Sequence, residues 1–219
     1  MNLVYYLIFS LAVFMLAIIG YKKFRSTTLY ALAIGGIVNA NFFHSGNYPI
    51  KIFGLDFGID SIIYTLFAFC VIIMLIKEDK KSAYLLGFSS VIAIMFSALM
   101  QLVSSLLSQG NSWDVWATFL TFCASSIAST IAIIVAIEIT QHIKQRFNNY
   151  IQLIIGILII LAVNTIIYCP LAILINNTPA NLWTMLLTNS IGKIISLIIG
   201  LFTLFLFNKI DKTPTITKN

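Results

Sequence analysis

Long apolar stretches alternate with short polar ones along the whole chain, and the pattern predicts helices that cross a membrane rather than a soluble fold. Leu3 to Gly20 is an 18-residue apolar run, followed at once by Lys22, Lys23 and Arg25. Six further spans follow, at about Thr27 to His44, Ile59 to Ile76, Ala83 to Leu107, Trp116 to Ile143, Tyr150 to Ile175 and Thr184 to Phe207. At 1.5 Å of rise per residue each is long enough to reach across a hydrocarbon core of about 30 Å, some with overhang. The expected fold class is therefore all-α, a polytopic helical membrane protein.

Helical periodicity then sorts the polar positions. Span two carries Ala31, Gly35 and Asn39 at four-residue steps, and span five carries Ala124, Ser125, Ala128 and Ser129. Such small-residue edges predict close helix packing. Span four has a polar stripe of Ser97, Gln101, Ser104 and Ser108. Pro170 in span six predicts a local kink, because proline withdraws a backbone donor. The segment from Ser45 to Asp60 is punctuated by Gly and Pro yet rich in apolar residues, which predicts a loop that dips into the interface or covers a pocket.

Composition agrees with the pattern. The chain is 60% hydrophobic and 9% charged, with a mean hydropathy of +1.00. Its net charge of +6 would suggest nucleic acid in a soluble protein. Here eleven of the thirteen basic residues fall in alternate loops and the tail, as topology demands. Placing Lys22, Lys23, Arg25, Lys77, Lys80, Lys81, Lys144, Arg146, Lys209, Lys212 and Lys218 inside puts the N-terminus outside and the C-terminus in the cytoplasm. The first span lacks the charge order and cleavage site of a signal peptide, so it is expected to be retained. The run Lys77 to Lys81 reads as a solvated turn.

Several chemistries are argued against. His44 is expected at the outer end of span two and His142 at the inner end of span five, and Cys70, Cys123 and Cys169 stand alone as apolar side chains, so no metal site is expected. Glu138 precedes His142 by one helical turn, and the two are expected to pair at the interface. No phosphate-binding loop, nucleophile–base pair or zinc motif occurs, which argues against an enzyme and against any cofactor.

One residue resists the topological explanation. Lys193 is the tenth residue of its span, roughly 14 Å deep by helix rise. An ammonium there costs about 2.5–3.5 kcal/mol on insertion scales, so something must compensate it. Asn189, Ser196 and Gly200 share its helix face, which should look toward protein or a cavity. No acidic residue is assigned to its depth, and compensation by amides, water or a ligand is therefore expected. With Asn39, Asn41, Asp60, Gln101, Asn164 and Asn189, Lys193 forms a candidate substrate-binding set, in a pocket lined by spans two, three, four, six and seven. The competing reading is that each amide bonds a neighbouring helix's backbone.

Asn41 with the Tyr48-Pro49-Ile50-Lys51-Ile52-Phe53-Gly54 loop, the Lys77 to Lys81 turn, Ile143-Lys144-Gln145, Asn164-Thr165 and Gly192-Lys193 give the chain a familiar order of landmarks. From Asn41 onward it resembles the vitamin uptake transporter, or queuosine precursor transporter, family. Val71 and Ile72 stand where many relatives carry Thr-Asp, and Asn164 where many carry an acid. The resemblance implies a six-helix transporter core at 26–208, an extra N-terminal helix at 1–25 and a polar tail at 209–219. It further implies import of a queuosine precursor, a 7-deazaguanine base, or a related nucleobase or vitamin, across a bacterial inner or plasma membrane. The expected partners are the small-molecule substrate and the lipid bilayer, not nucleic acid, with a homo-oligomer or an energising partner complex left open. The alternative is a substrate-binding subunit of an energy-coupled vitamin transporter, or a non-transporting membrane interaction protein.

Overall fold

The computed structural model describes residues 3–45, 50–52, 55–57, 60–176 and 182–210, with side chains for 4–40, 60–176 and 182–206. Within these residues the chain forms seven helices: α1 (Leu3–Phe24), α2 (Ser26–Ser45), α3 (Asp60–Lys77), α4 (Lys80–Gln109), α5 (Trp113–Ile143), α6 (Asn149–Asn176) and α7 (Leu182–Ile210). Six of them are long and apolar enough to cross a membrane, and α2 adds a shorter apolar segment, Ser26–Ala40. The protein is an integral, multi-pass membrane protein of all-α class. The expectations for Asn41, His44, Lys51 and the tail from Lys209 concern side chains outside the described residues.

Between α2 and α3 the expected loop contains a short antiparallel pair instead, β1 (Ile50–Ile52) and β2 (Leu55–Phe57). Both triplets alternate apolar, charged, apolar, the period of a strand, and the register sets Lys51 opposite Asp56. β1 lies beside α1 and β2 beside α7.

The bundle is organised around α3. From Leu66 to Ile76 this helix is apolar on every side, and a helix with no polar face is stable only when surrounded. Its residues from Ile62 to Leu75 are buried apart from Tyr64, and it touches all six other helices. The Ala124, Ala128, Ala132 and Ala136 ridge of α5 is buried too, bringing α5 close to α6 and α4 as the small residues predict. Where α6 passes α5 and α3, a Cβ on Gly156 would sit 2.7 Å from Thr140 Oγ1 and 2.8 Å from Ile72 Cδ1. Large apolar side chains such as Ile92, Phe96 and Leu107 on α4 face outward, as lipid contact requires.

Two packing expectations are corrected. The Ala31–Gly35–Asn39 edge of α2 points outward; its buried seam is Leu29, Ala33, Ile37 and Ala40. Against an all-apolar α3, burying aliphatic carbon is favoured over burying Asn39. Glu138 does not pair with His142. It lies 2.8 Å from Lys80 and accepts a 2.6 Å hydrogen bond from Tyr84, because the start of α4 runs alongside the end of α5.

The Lys77–Lys81 turn is likewise more than a solvated link. Glu78 accepts from the Tyr21 hydroxyl at 3.1 Å. Asp79 caps α4 by accepting from the Ser82 amide at 2.6 Å, a charged cap that satisfies an orphan donor of the first turn. That hydrogen bond holds its carboxyl below the usual carboxylate range.

Candidate functional site

Lys193 is only 3% exposed. Its Nζ donates to Asn164 Oδ1 at 3.0 Å and to Thr165 Oγ1 at 2.7 Å, both on α6. It also lies 5.6 Å from the centre of the Tyr64 ring on α3, within cation–π range. An ammonium has three donors, so these two bonds leave one N–H for water or a ligand. The amide compensation expected from the sequence is present, with a hydroxyl and a ring added.

The holders of Lys193 are themselves held. Asn164 Nδ2 donates to Ser129 Oγ on α5 at 3.1 Å, which leaves the Asn164 carbonyl oxygen turned to the ammonium. The Tyr64 hydroxyl shares a hydrogen bond with Ser125. Behind Lys193, the Tyr6 hydroxyl of α1 donates to the Gly192 carbonyl at 3.2 Å and bonds Ser196 Oγ at 2.7 Å. Thr65 Oγ1 lies 3.4 Å from the Lys193 carbonyl. Three other helices, α1, α3 and α6, thus fix the position of α7 at this residue, and α5 braces two of them.

Lys193 lines a small cavity toward the end of the bundle where α3 begins. Four helices each supply residues one turn apart: Asp60 and Tyr64 from α3, Thr121 and Ser125 from α5, Asn164 and Tyr168 from α6, Asn189 and Lys193 from α7. Ala40 of α2 and Phe122 complete the wall. The i, i+4 spacing puts each pair on one helix face. The cavity volume is about 30 Å³, enough for one or two waters.

Of the candidate residues, Lys193, Asn164, Asn189 and Asp60 come together here. Gln101 does not: it lines a separate crevice between α4 and α5 with Ser105 and Thr118. Asn39 does not either, because its Nδ2 bonds its own helix at the Gly35 carbonyl, 2.7 Å away. The side chain of Asn41 lies outside the described residues. The expected contribution of span four is replaced by α5, because the tight α5–α6 packing brings Ser125 and Ser129 under Tyr64 and Asn164. Asp60, expected at the outer end of span three and in the same pocket as Lys193, does line the cavity. Asp60 heads α3 one turn before Tyr64, and the cavity spans that turn.

Tyr64, Tyr168, Thr121, Ser125 and Thr165 had no expected place at the site; Ser125 was expected only to pack and Thr165 only as the neighbour of Asn164. Their signal was present: Thr121, Ser125 and Ser129 recur at four-residue steps, a polar stripe that small-residue packing alone does not require.

Cys70 and Cys169 are buried and Cys123 is half-buried, all three as free thiols. No group of three or more His, Cys, Asp or Glu that could hold a metal occurs among the described residues. No family model, curated protein or solved structure matches this chain.

Proposed function

We propose that this protein is a membrane carrier that imports a small polar heterocycle, a queuosine precursor of the 7-deazaguanine type or a related nucleobase or vitamin, and that it performs no covalent chemistry. The observation that carries the proposal is the buried Lys193 with one unspent donor, on the same cavity as the Asp60 carboxylate. A guanine-like edge offers a carbonyl acceptor beside ring N–H and amino donors. A lysine donor that lines the same cavity as a carboxylate, itself bonded to the Ser61 amide at 2.9 Å, supplies both kinds of polar partner to such an edge. An ionisable residue inside a membrane is costly and commonly marks a substrate or ion path.

A cavity of about 30 Å³ does not admit a heterocycle, so binding requires α7 to separate from α3 and α6. Opening and closing around a fixed site is how alternating-access carriers work. In this reading the lysine-rich end faces the cytoplasm of a bacterial inner or plasma membrane, with Lys22, Lys77 and Lys144 inside and the Asp60 end outside.

A second reading, a binding subunit coupled to a separate energising complex, is favoured by the outward edge of α2. A Cβ on Gly35 would meet nothing within 4 Å, a surface suited to another helix.

The ligand class is tested by thermal unfolding of the purified chain in mild detergent with 7-deazaguanines, guanine and vitamins in turn. A deazaguanine or nucleobase at a hundred times its Kd should stabilise by about 2.7 kcal/mol. Stabilisation by none of the three classes would contradict the ligand assignment.

A further inference from the structure

Between the Lys193 cavity and the opposite end of the bundle, α1 and α7 meet along a seam unlike the rest of the core. On α1, Tyr6, Ser10, Phe14 and Ile18 recur at four-residue steps and all are buried. On α7, Gly192, Ser196 and Gly200 recur in the same way, also buried, with Leu204 half-buried at the next step. Each set therefore occupies one helix face. The two faces meet: the Tyr6 hydroxyl bonds Ser196 Oγ at 2.7 Å, and the Phe14 ring fills the notch at Gly200. One turn further on, Ile18 and Leu204 line a second cavity of about 340 Å³ between α1, α3, α6 and α7. The seam thus runs from beside Lys193 into this cavity, about 16 Å along α7 by helix rise.

At the same depths α3 and α6 bury only aliphatic side chains such as Ile72, Ile157 and Leu161. The seam buries hydroxyls instead, and one of them is unspent. Ser10 is completely buried, yet its Oγ has no hydrogen-bond partner among the described residues. An unmet buried hydroxyl destabilises a fold, and alanine would fill the same place without that cost. We propose, on the reading that this chain carries a heterocycle, that the α1–α7 seam is the substrate's route from the Lys193 cavity to the lysine-rich end of the bundle. Ser10 meets the heterocycle in passage, Phe14 in the Gly200 notch closes the route at rest, and the 340 Å³ cavity is the vestibule of release. That volume falls in the range of ligand sites, about 300–1,000 Å³. A planar ring can turn its face to Phe14 and its polar edge to the hydroxyls. No charged residue occurs from Tyr6 to Ile18 or from Ser196 to Leu204, so a carboxylated substrate would cross without a counter-charge. The route therefore narrows the substrate class to uncharged, nucleobase-like rings.

The test labels an introduced thiol. Ser10→Cys, in membrane vesicles that expose the lysine-rich side, is treated with a charged thiosulfonate too polar to cross the bilayer, and labelled positions are read by mass spectrometry. The thiol should react at about 0.1–10% of the rate of an exposed cysteine, the share of time a minor conformer is populated. Cys70, buried in α3, should stay unlabelled. Thr203→Cys, seven residues beyond Ser196 on the same face of α7, repeats the reading if Ser10→Cys does not fold. Ser10→Ala should keep the melting temperature and the stabilisation by ligand, yet slow uptake about twofold to tenfold, the worth of one neutral hydrogen bond. An introduced thiol as inert as Cys70, labelling of both at one rate, or unchanged uptake in Ser10→Ala would overturn the route. A reactive thiol in a protein that no heterocycle stabilises would support the route and overturn the ligand assignment instead, because the labelling needs no substrate.

Discussion

Lys193→Met is expected to abolish uptake and weaken ligand binding about tenfold to a hundredfold or more, while leaving the purified protein about as heat-stable as before. Methionine fills a similar volume without a donor. A hydrogen bond from a charged group is worth about 1.5–3 kcal/mol, which sets the loss of affinity. Two effects oppose each other in stability. Asn164 Oδ1 and Thr165 Oγ1 lose the bonds they make at 3.0 and 2.7 Å; an unmet buried acceptor costs about 1–3 kcal/mol, and the Thr165 hydroxyl can turn to donate elsewhere while Asn164 Oδ1 cannot. Removing an ammonium from the bilayer interior returns about 2.5–3.5 kcal/mol. The terms nearly cancel, so a residue kept only for folding has little to recommend it here. Thermal unfolding and binding are measured on the same preparation. Undiminished binding would end the assignment, and wholesale unfolding would make Lys193 a structural residue.

The second large effect concerns the N-terminal helix. Phe14 is completely buried, packs edge-to-face on Phe69 of α3 at 5.3 Å, and occupies the notch at Gly200 of α7, where a Cβ would approach its ring to 2.7 Å. Phe14→Ala should destabilise the protein by about 3–5 kcal/mol through lost burial and the cavity left behind. It should also free α1, and with it the Tyr6 hydroxyl that grips Gly192 and Ser196 beside Lys193. Ligand affinity should therefore fall although Phe14 lines no part of that cavity. A melting temperature equal to that of the unmodified protein would show α1 to be an independent anchor.

How much was legible in the sequence differs by level. The spans were legible because twenty-odd apolar residues between charged turns have one reading in a membrane. Lys193 was legible because a charge inside such a span stands out without any partner. Its partners were harder to read. Asn164 announced itself as an amide in mid-span, but Tyr64 and Tyr168 look like ordinary aromatic packing until a cation is placed above one of them. Gln101 misled for the opposite reason: periodicity fixes the face a residue occupies, not which helix lies opposite. The same limit explains Asn39, whose small-residue edge turned outward once α3 claimed the aliphatic seam.

Flux by the protein alone tests the account most directly. The purified chain is reconstituted into liposomes with no other protein and no nucleotide, and accumulation of the labelled deazaguanine or nucleobase that stabilises it is followed over time. Saturable uptake above protein-free vesicles, blocked by unlabelled ligand and absent in Lys193→Met, is the expected result. Tight binding with no flux would contradict a self-sufficient carrier, and equal flux through the unmodified protein and Lys193→Met would contradict the site.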